Sequence, residues 1–116
     1  MSVKIKKNLI TLTRGDTMRL GIIMTMDGTP YEPEAGDTLR FTLKRNLLNA
    51  AKSEYVDPEP LIEKTIPIDS LILELEPEDT KGLGFGTYAY DVQITFADGA
   101  VDTFLFGQLV LTPEVD

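Results

Sequence analysis

Cysteine, histidine and tryptophan are all absent from this 116-residue chain. Without cysteine there are no disulfides and no thiolate nucleophile. Without histidine there are no Ser-His or Cys-His pairs, almost no zinc chemistry, and no haem or non-haem iron site built on imidazole. Enzymology is left with carboxylates, lysines and tyrosines. No apolar run approaches the ~20 residues that a membrane span needs. The opening stretch, MSVKIKKNLI, has lysines but neither a long apolar core nor a small-residue cleavage site, so neither a signal peptide nor membrane contact is expected. Good helix-forming stretches are also scarce. Only NLLNAAKSE, residues 46–54, reads as a loop with one helical turn.

Basic charge is short as well. Eleven Lys/Arg stand against nineteen Asp/Glu, for a net charge of −8. A surface of that sign cannot displace counterions from phosphates, so nucleic acid is not an expected partner. The charge is unevenly spread. Residues 1–53 carry nine Lys/Arg against five Asp/Glu, a balance of +4, and residues 54–116 carry two against fourteen, a balance of −12. If that asymmetry reaches the surface, head-to-tail self-association follows.

What the chain does have is period-two alternation. Met18, Leu20, Ile22, Met24 and Met26 occupy every second position, as do Leu39, Phe41 and Leu43, then Leu71, Leu73 and Leu75, then Tyr88, Tyr90, Val92, Ile94 and Phe96. Each run predicts a strand with one buried face. VDTFLFGQLVLT, residues 101–112, is apolar on both faces and predicts a strand covered on two sides. Thirteen threonines agree with a sheet protein. Strands are expected over 8–13, 17–26, 38–45, 60–66, 71–76, 87–96 and 101–112, with turn signals every ten residues or so. That spacing predicts an all-β fold, an immunoglobulin-like antiparallel β-sandwich of about seven strands without a disulfide, in a single domain spanning 1–116.

Turn chemistry accounts for the most tempting motifs. TRGDTMRL (13–20) is echoed by AGDTLRF (35–41), with Gly15 and Asp16 matching Gly36 and Asp37. In both copies Gly-Asp-Thr ends a turn, the Asp is suited to bind nearby backbone N–H groups, and a strand begins. Arg14-Gly15-Asp16 also spells an adhesion tripeptide, but it abuts a strongly patterned strand instead of riding on a free loop. Asp98-Gly99 predicts a two-residue hairpin, and Asp27-Gly28 a break of the same kind. Gly82, Gly84 and Gly86 alternate like a phosphate-binding loop, yet they precede a strand where such loops open a helix. They read better as the corner leading into the sixth strand of a sandwich. There Asp79, Gly86 and Tyr88 take the positions of a tyrosine corner, whose hydroxyl bonds back to upstream backbone, and Tyr90 fills core.

No catalytic, cofactor-binding or metal-binding residue stands out. Glu76, Glu78, Asp79, Asp91, Asp98 and Asp102 leave calcium as the one open metal, since oxygen ligands suffice, but no EF-hand pattern is present. No carboxylate pair marks itself out for glycoside hydrolysis. The expected class is therefore non-enzymatic. A carbohydrate- or host-surface-binding module is the alternative, with Tyr31, Tyr55 and loop carboxylates as its candidates.

Several stretches carry a family likeness: Arg14 to Thr17, Glu59 to Ile66, Pro77 to Thr80, Gly86 to Asp91, Asp98-Gly99, Gly107, and Thr112 to Val115. Together they resemble the immunoglobulin-like domain of tailed-phage and prophage structural proteins, of the baseplate upper protein N-terminal type. The resemblance implies a virion component of the tail, baseplate, neck or capsid that acts by assembly. Its implied partners are other virion proteins or copies of itself in a homo-oligomer, and its implied location is the virion or the cytoplasm of the bacterial host. It brings no catalytic residues.

Overall fold

A computed structural model describes residues 3–6, 9–45 and 59–113. The expected helical turn at 46–54 and Tyr55 lie outside those residues. The described chain is all-β with one short helix. In order, the elements are β1 (Val3–Lys6), β2 (Leu9–Thr13), β3 (Met18–Gly21), β4 (Thr25–Met26), β5 (Thr29–Pro30), β6 (Thr38–Arg45), β7 (Ile62–Ile66), β8 (Ile72–Leu75), α1 (Pro77–Lys81), β9 (Gly86–Thr95) and β10 (Val101–Thr112). A six-stranded sheet runs β1-β2-β10-β9-β6-β7, a two-stranded sheet pairs β3 with β8, and β4 with β5 form a small hairpin.

The alternation seen in the sequence decides which face of each strand is buried. Leu39, Phe41 and Leu43 of β6 lie between Ile94, Val92 and Tyr90 of β9 on one side and Ile66 and Ile62 of β7 on the other, while Thr38 and Arg40 face water. Leu109 and Leu111 of β10, with Ile10 and Leu12 of β2, continue the same layer. Across it, Met18 of β3 and Leu73 and Leu75 of β8 close the core. Burying each such side chain is worth ~1.5–3 kcal/mol relative to water, which offsets the cost of ordering so much extended backbone.

Five expectations change. First, β2 and β10 run parallel, with Leu9 opposite Gln108 and Thr13 opposite Thr112. Nearly the whole chain separates these strands, so no tight turn forces them antiparallel. Second, the predicted strand over 17–26 breaks after Gly21. Asp27 (φ 52°) and Gly28 (φ 79°) both take positive φ, the signature of a two-residue I′ turn, and fold Thr25–Met26 back on Thr29–Pro30. The alternation nevertheless persists through the break, with Ile22 and Met24 buried and Ile23 exposed.

Third, the Asp98-Gly99 hairpin closes over three residues. Phe96 N–H bonds Ala100 O at 2.8 Å, only Gly99 takes positive φ (95°), and the Asp98 carboxylate accepts from Ala100 N–H at 2.9 Å. Fourth, β10 is not covered on two sides: Phe106 and Val101 remain 70% and 58% exposed. The strand count also exceeds seven, because β1 adds to the sheet beyond β2 and the turn at 27–28 creates β4 and β5.

Helix α1 had no periodicity to announce it, since five residues span little more than one turn. Its signals are local: Pro77 in the first turn, Glu78 and Asp79 beside the helix N-terminus, and Lys81 in the last turn. The Asp79 carboxylate accepts from Glu76 N–H at 2.7 Å, which meets one of the backbone needs at the helix start.

Candidate functional site

The sequence-predicted site residues separate into two clusters at opposite ends of β9. The first surrounds its start. Asp79 bonds the Glu76 amide and pairs with Lys64 of β7, Nζ to Oδ2 at 2.9 Å. Next to it, Thr80 is fully buried, and its hydroxyl accepts from the Gly15 amide at 2.8 Å. Arg14 donates its backbone N–H to Thr112 O at 3.0 Å and a guanidinium N–H to Leu83 O at 3.1 Å, and its guanidinium lies 4.2 Å over the Phe85 ring.

Tyr88, two residues into β9, donates its hydroxyl to Gly84 O at 2.7 Å, and Gly86 takes φ 135°, a backbone state that glycine adopts readily. Tyr90 is buried, its ring 5.7 Å from that of Phe41. The adhesion tripeptide is thus built into a corner. Its arginine is held by main chain and aromatic ring, and its glycine (φ 86°) supports the turn before β3.

The second cluster lies at the other end of β9 and centres on Asp37. One carboxylate oxygen accepts from the Tyr31 hydroxyl (2.7 Å) and the Glu34 amide (2.8 Å), and the other from the Ala97 amide (3.2 Å). Three segments meet on that carboxylate: the loop after β5, the start of β6, and the β9–β10 turn that holds Asp98 and Gly99. Tyr31 also packs edge-on against Phe96, centroids 6.1 Å apart, so it serves the fold and is no exposed sugar platform.

These bonds hold the Asp37 carboxyl below its ordinary value near 3.8, chiefly through the Glu34 amide and then the Tyr31 hydroxyl. Tyr31, donating to Asp37, is pushed up to about 12. The linkage runs in both directions. A depressed carboxyl stabilises the fold above its unfolded value and loses that contribution as pH falls through the folded one. A raised phenol stabilises below pH ~10 and loses its contribution as pH rises toward 12. The clamp is therefore complete only between about pH 4 and 10. Thermal melts from pH 5 to pH 3 should fall more steeply for the native chain than for Asp37→Asn, which lacks the titrating group. Parallel curves would show that Asp37 takes no part in the acid limb.

The remaining carboxylates do not converge. Glu76 caps α1, Glu78 and Asp79 lie in its first turn, Asp91 lies mid-strand in β9, Asp98 sits within the β9–β10 turn, and Asp102 begins β10 just after it. Among the described residues no group of three or more Asp, Glu, His or Cys is placed to hold a metal ion. Sequence reading missed Thr80, Lys64 and Arg14 as members of the corner. A threonine inside an otherwise acidic helix was the one local signal for the first, whereas the Arg14–Leu83 bond joins residues 69 apart and leaves no trace in a linear pattern.

The Tyr88 bond is the simplest part of the corner to test. Tyr88→Phe deletes one hydroxyl and leaves the ring, and urea titration should show a loss of about 1 kcal/mol. A change under about 0.3 kcal/mol would mean that water serves Gly84 O equally well. No protein-family model matches the chain, and a search of curated proteins finds no relative.

Proposed function

We propose that this chain is a non-enzymatic structural module of a tailed phage or prophage, an immunoglobulin-like β-sandwich that works by protein–protein assembly. The observation that carries this reading is the Tyr88 hydroxyl on Gly84 O at the start of β9, where such sandwiches hold their tyrosine corner. Further support comes from the sheet order, in which β2 lies parallel to β10 and β3 pairs with β8 across a shared core. The virion assignment is supported by the resemblance of the turns and strand edges named above.

The non-enzymatic part draws on composition and on the roles of the carboxylates. Asp37 and Asp79 are engaged by amides, a hydroxyl and a lysine that build the fold, which leaves them poorly suited to move protons during a reaction. No described helix is long and apolar enough to cross a membrane. Removing the chain from its phage tests the proposal. Electron micrographs should then show incomplete tails, baseplates, necks or capsids, and normal infectious particles would refute it.

A further inference from the structure

Leucine is poorly suited to a left-handed backbone, yet Leu71 stands at φ 56°. Of the seven described residues with positive φ, five are glycines and one is Asp27, whose short polar side chain tolerates the region; Leu71 is the seventh. It ends the turn Pro67-Ile68-Asp69-Ser70-Leu71, which carries the chain from β7, at the edge of the large sheet, to β8 in the opposite layer. Leu71 N–H closes that turn on Pro67 O at 2.8 Å, Leu71 O accepts from Ile22 N–H at 2.8 Å, and the half-buried side chain packs on the margin of the core. The same closure at helix ends usually takes glycine. A leucine there carries a penalty of about five- to thirtyfold in population, imposed by the folded surroundings. The segments on either side of this turn hold each other. β8 pairs with β3, β9 with β6 and β10 with β2. Lys64–Asp79, Gly15–Thr80, Arg14–Leu83 and Asp37–Ala97 also cross from one segment to the other. The core draws on both, with Met18 and Phe41 before the turn and Leu73, Leu75 and Val92 after it.

We infer that 67–71 is the hinge of a strand exchange, through which two copies of the chain trade β8, α1, β9 and β10 and form an intertwined dimer. The partner is fixed by the contacts themselves. A second copy presents the same β2, β3 and β6, so every pairing and cross-link named above is remade between chains with identical partners. Only the turn changes, and the turn is the strained part. Opening it moves Leu71 into the extended region and removes the left-handed penalty in both copies, at the loss of the Leu71–Pro67 bond to water. Pro67 fits both forms, because φ near −65° belongs to turns and to extended chain alike. Five residues opened out reach ~17 Å, more than the ~10 Å between packed layers, so β8 can leave its own β3 for that of a neighbour. Short hinges under strain are where such exchange begins. Exchange is a property of the chain itself and does not depend on a place in a virion.

Refolding the full chain from urea at about 1 mM, followed by size exclusion, tests it. A dimer should appear that parts no faster than the monomer unfolds in the same buffer, since exchanged copies separate only by unfolding. The chain has no cysteine, so an introduced pair reports the exchange directly. Arg19 of β3 and Glu74 of β8 stand opposite each other, Nε to Oε2 at 2.6 Å, and antiparallel partners lie within reach of a disulfide. In Arg19→Cys/Glu74→Cys, oxidation should join the two chains of the isolated dimer on a non-reducing gel and leave the isolated monomer as single chains. Leu71→Asn, which sits more easily in the left-handed region, should weaken the dimer at least about tenfold. Should Leu71→Asn fail to fold, the disulfide pattern and the dissociation rate decide, since neither touches Leu71. A native chain that stays monomeric after refolding at about 1 mM, a dimer whose oxidised chains separate on the gel, or a dimer indifferent to Leu71→Asn would overturn the inference.

Discussion

Phe41→Ala should cost the fold about 3–5 kcal/mol, the usual range for emptying a buried phenylalanine site. Phe41 is fully buried at the middle of β6, opposite Val92 of β9 and Lys64 of β7, with its ring against that of Tyr90. Truncation removes the transfer free energy of the ring, its contact with Tyr90, and the support beneath the strand that joins β9 to β7. Collapse around the gap is limited because the neighbours sit on hydrogen-bonded strands whose spacing is fixed. For a domain of this size the loss corresponds to roughly 12–25 °C in melting temperature, a large part of a total stability of about 5–15 kcal/mol. Phe41→Leu keeps most of the volume and should cost under about 2 kcal/mol. Calorimetry on both variants checks this, and a Phe41→Ala loss below about 1.5 kcal/mol would mean that the two layers do not share this core.

The second large effect concerns a glycine. Gly36 sits at φ 97°, and a Cβ placed there would lie 2.9 Å from Ala97 Cβ and 3.7 Å from its Cα. Gly36→Ala therefore meets two penalties. The backbone conformation costs an L-residue about 1–2 kcal/mol. The collision adds about 1–3 kcal/mol, since Ala97 is short, stiff and unable to swing away. Displacing Ala97 also pulls its amide from the Asp37 carboxylate. A total of about 2–5 kcal/mol follows from those two contributions.

Gly28 offers an internal control. It takes φ 79° with nothing within 4 Å of its added Cβ, so Gly28→Ala should cost only the conformational part. Denaturant titration should separate the two variants by more than about 1 kcal/mol. Equal losses would show that the turn before β6 and the β9–β10 turn are not packed against each other.

Much of this architecture can be read from the bare sequence, for a physical reason. Side chains alternate along a strand, so Leu39-Phe41-Leu43 and Tyr90-Val92-Ile94 announce both their conformation and their buried face without any knowledge of partners. The Gly-Asp repeat is legible for a similar reason: positive φ at Gly15 and Gly36 is a local property that glycine advertises. Legibility ends where partners matter. Asp16 and Asp37 look equivalent in sequence, but it is Asp37 whose carboxylate gathers an amide from a loop 60 residues away. The parallel pairing of β2 with β10 and the anchoring of Arg14 over Phe85 depend on chain crossing, which no window of residues records. Phe106 was misread for the converse reason. An apolar residue on the outward face looks like core until its strand's neighbours are known, and here the described neighbours leave it open.

The proposal that the chain is a building element of a particle is tested most directly by quantitative mass spectrometry of density-purified virions, washed at rising salt. The account predicts that the chain stays with the particles at a fixed ratio to the major tail or capsid protein through every wash. A chain found only in the soluble fraction of the lysate, with particles complete and infectious without it, would contradict it.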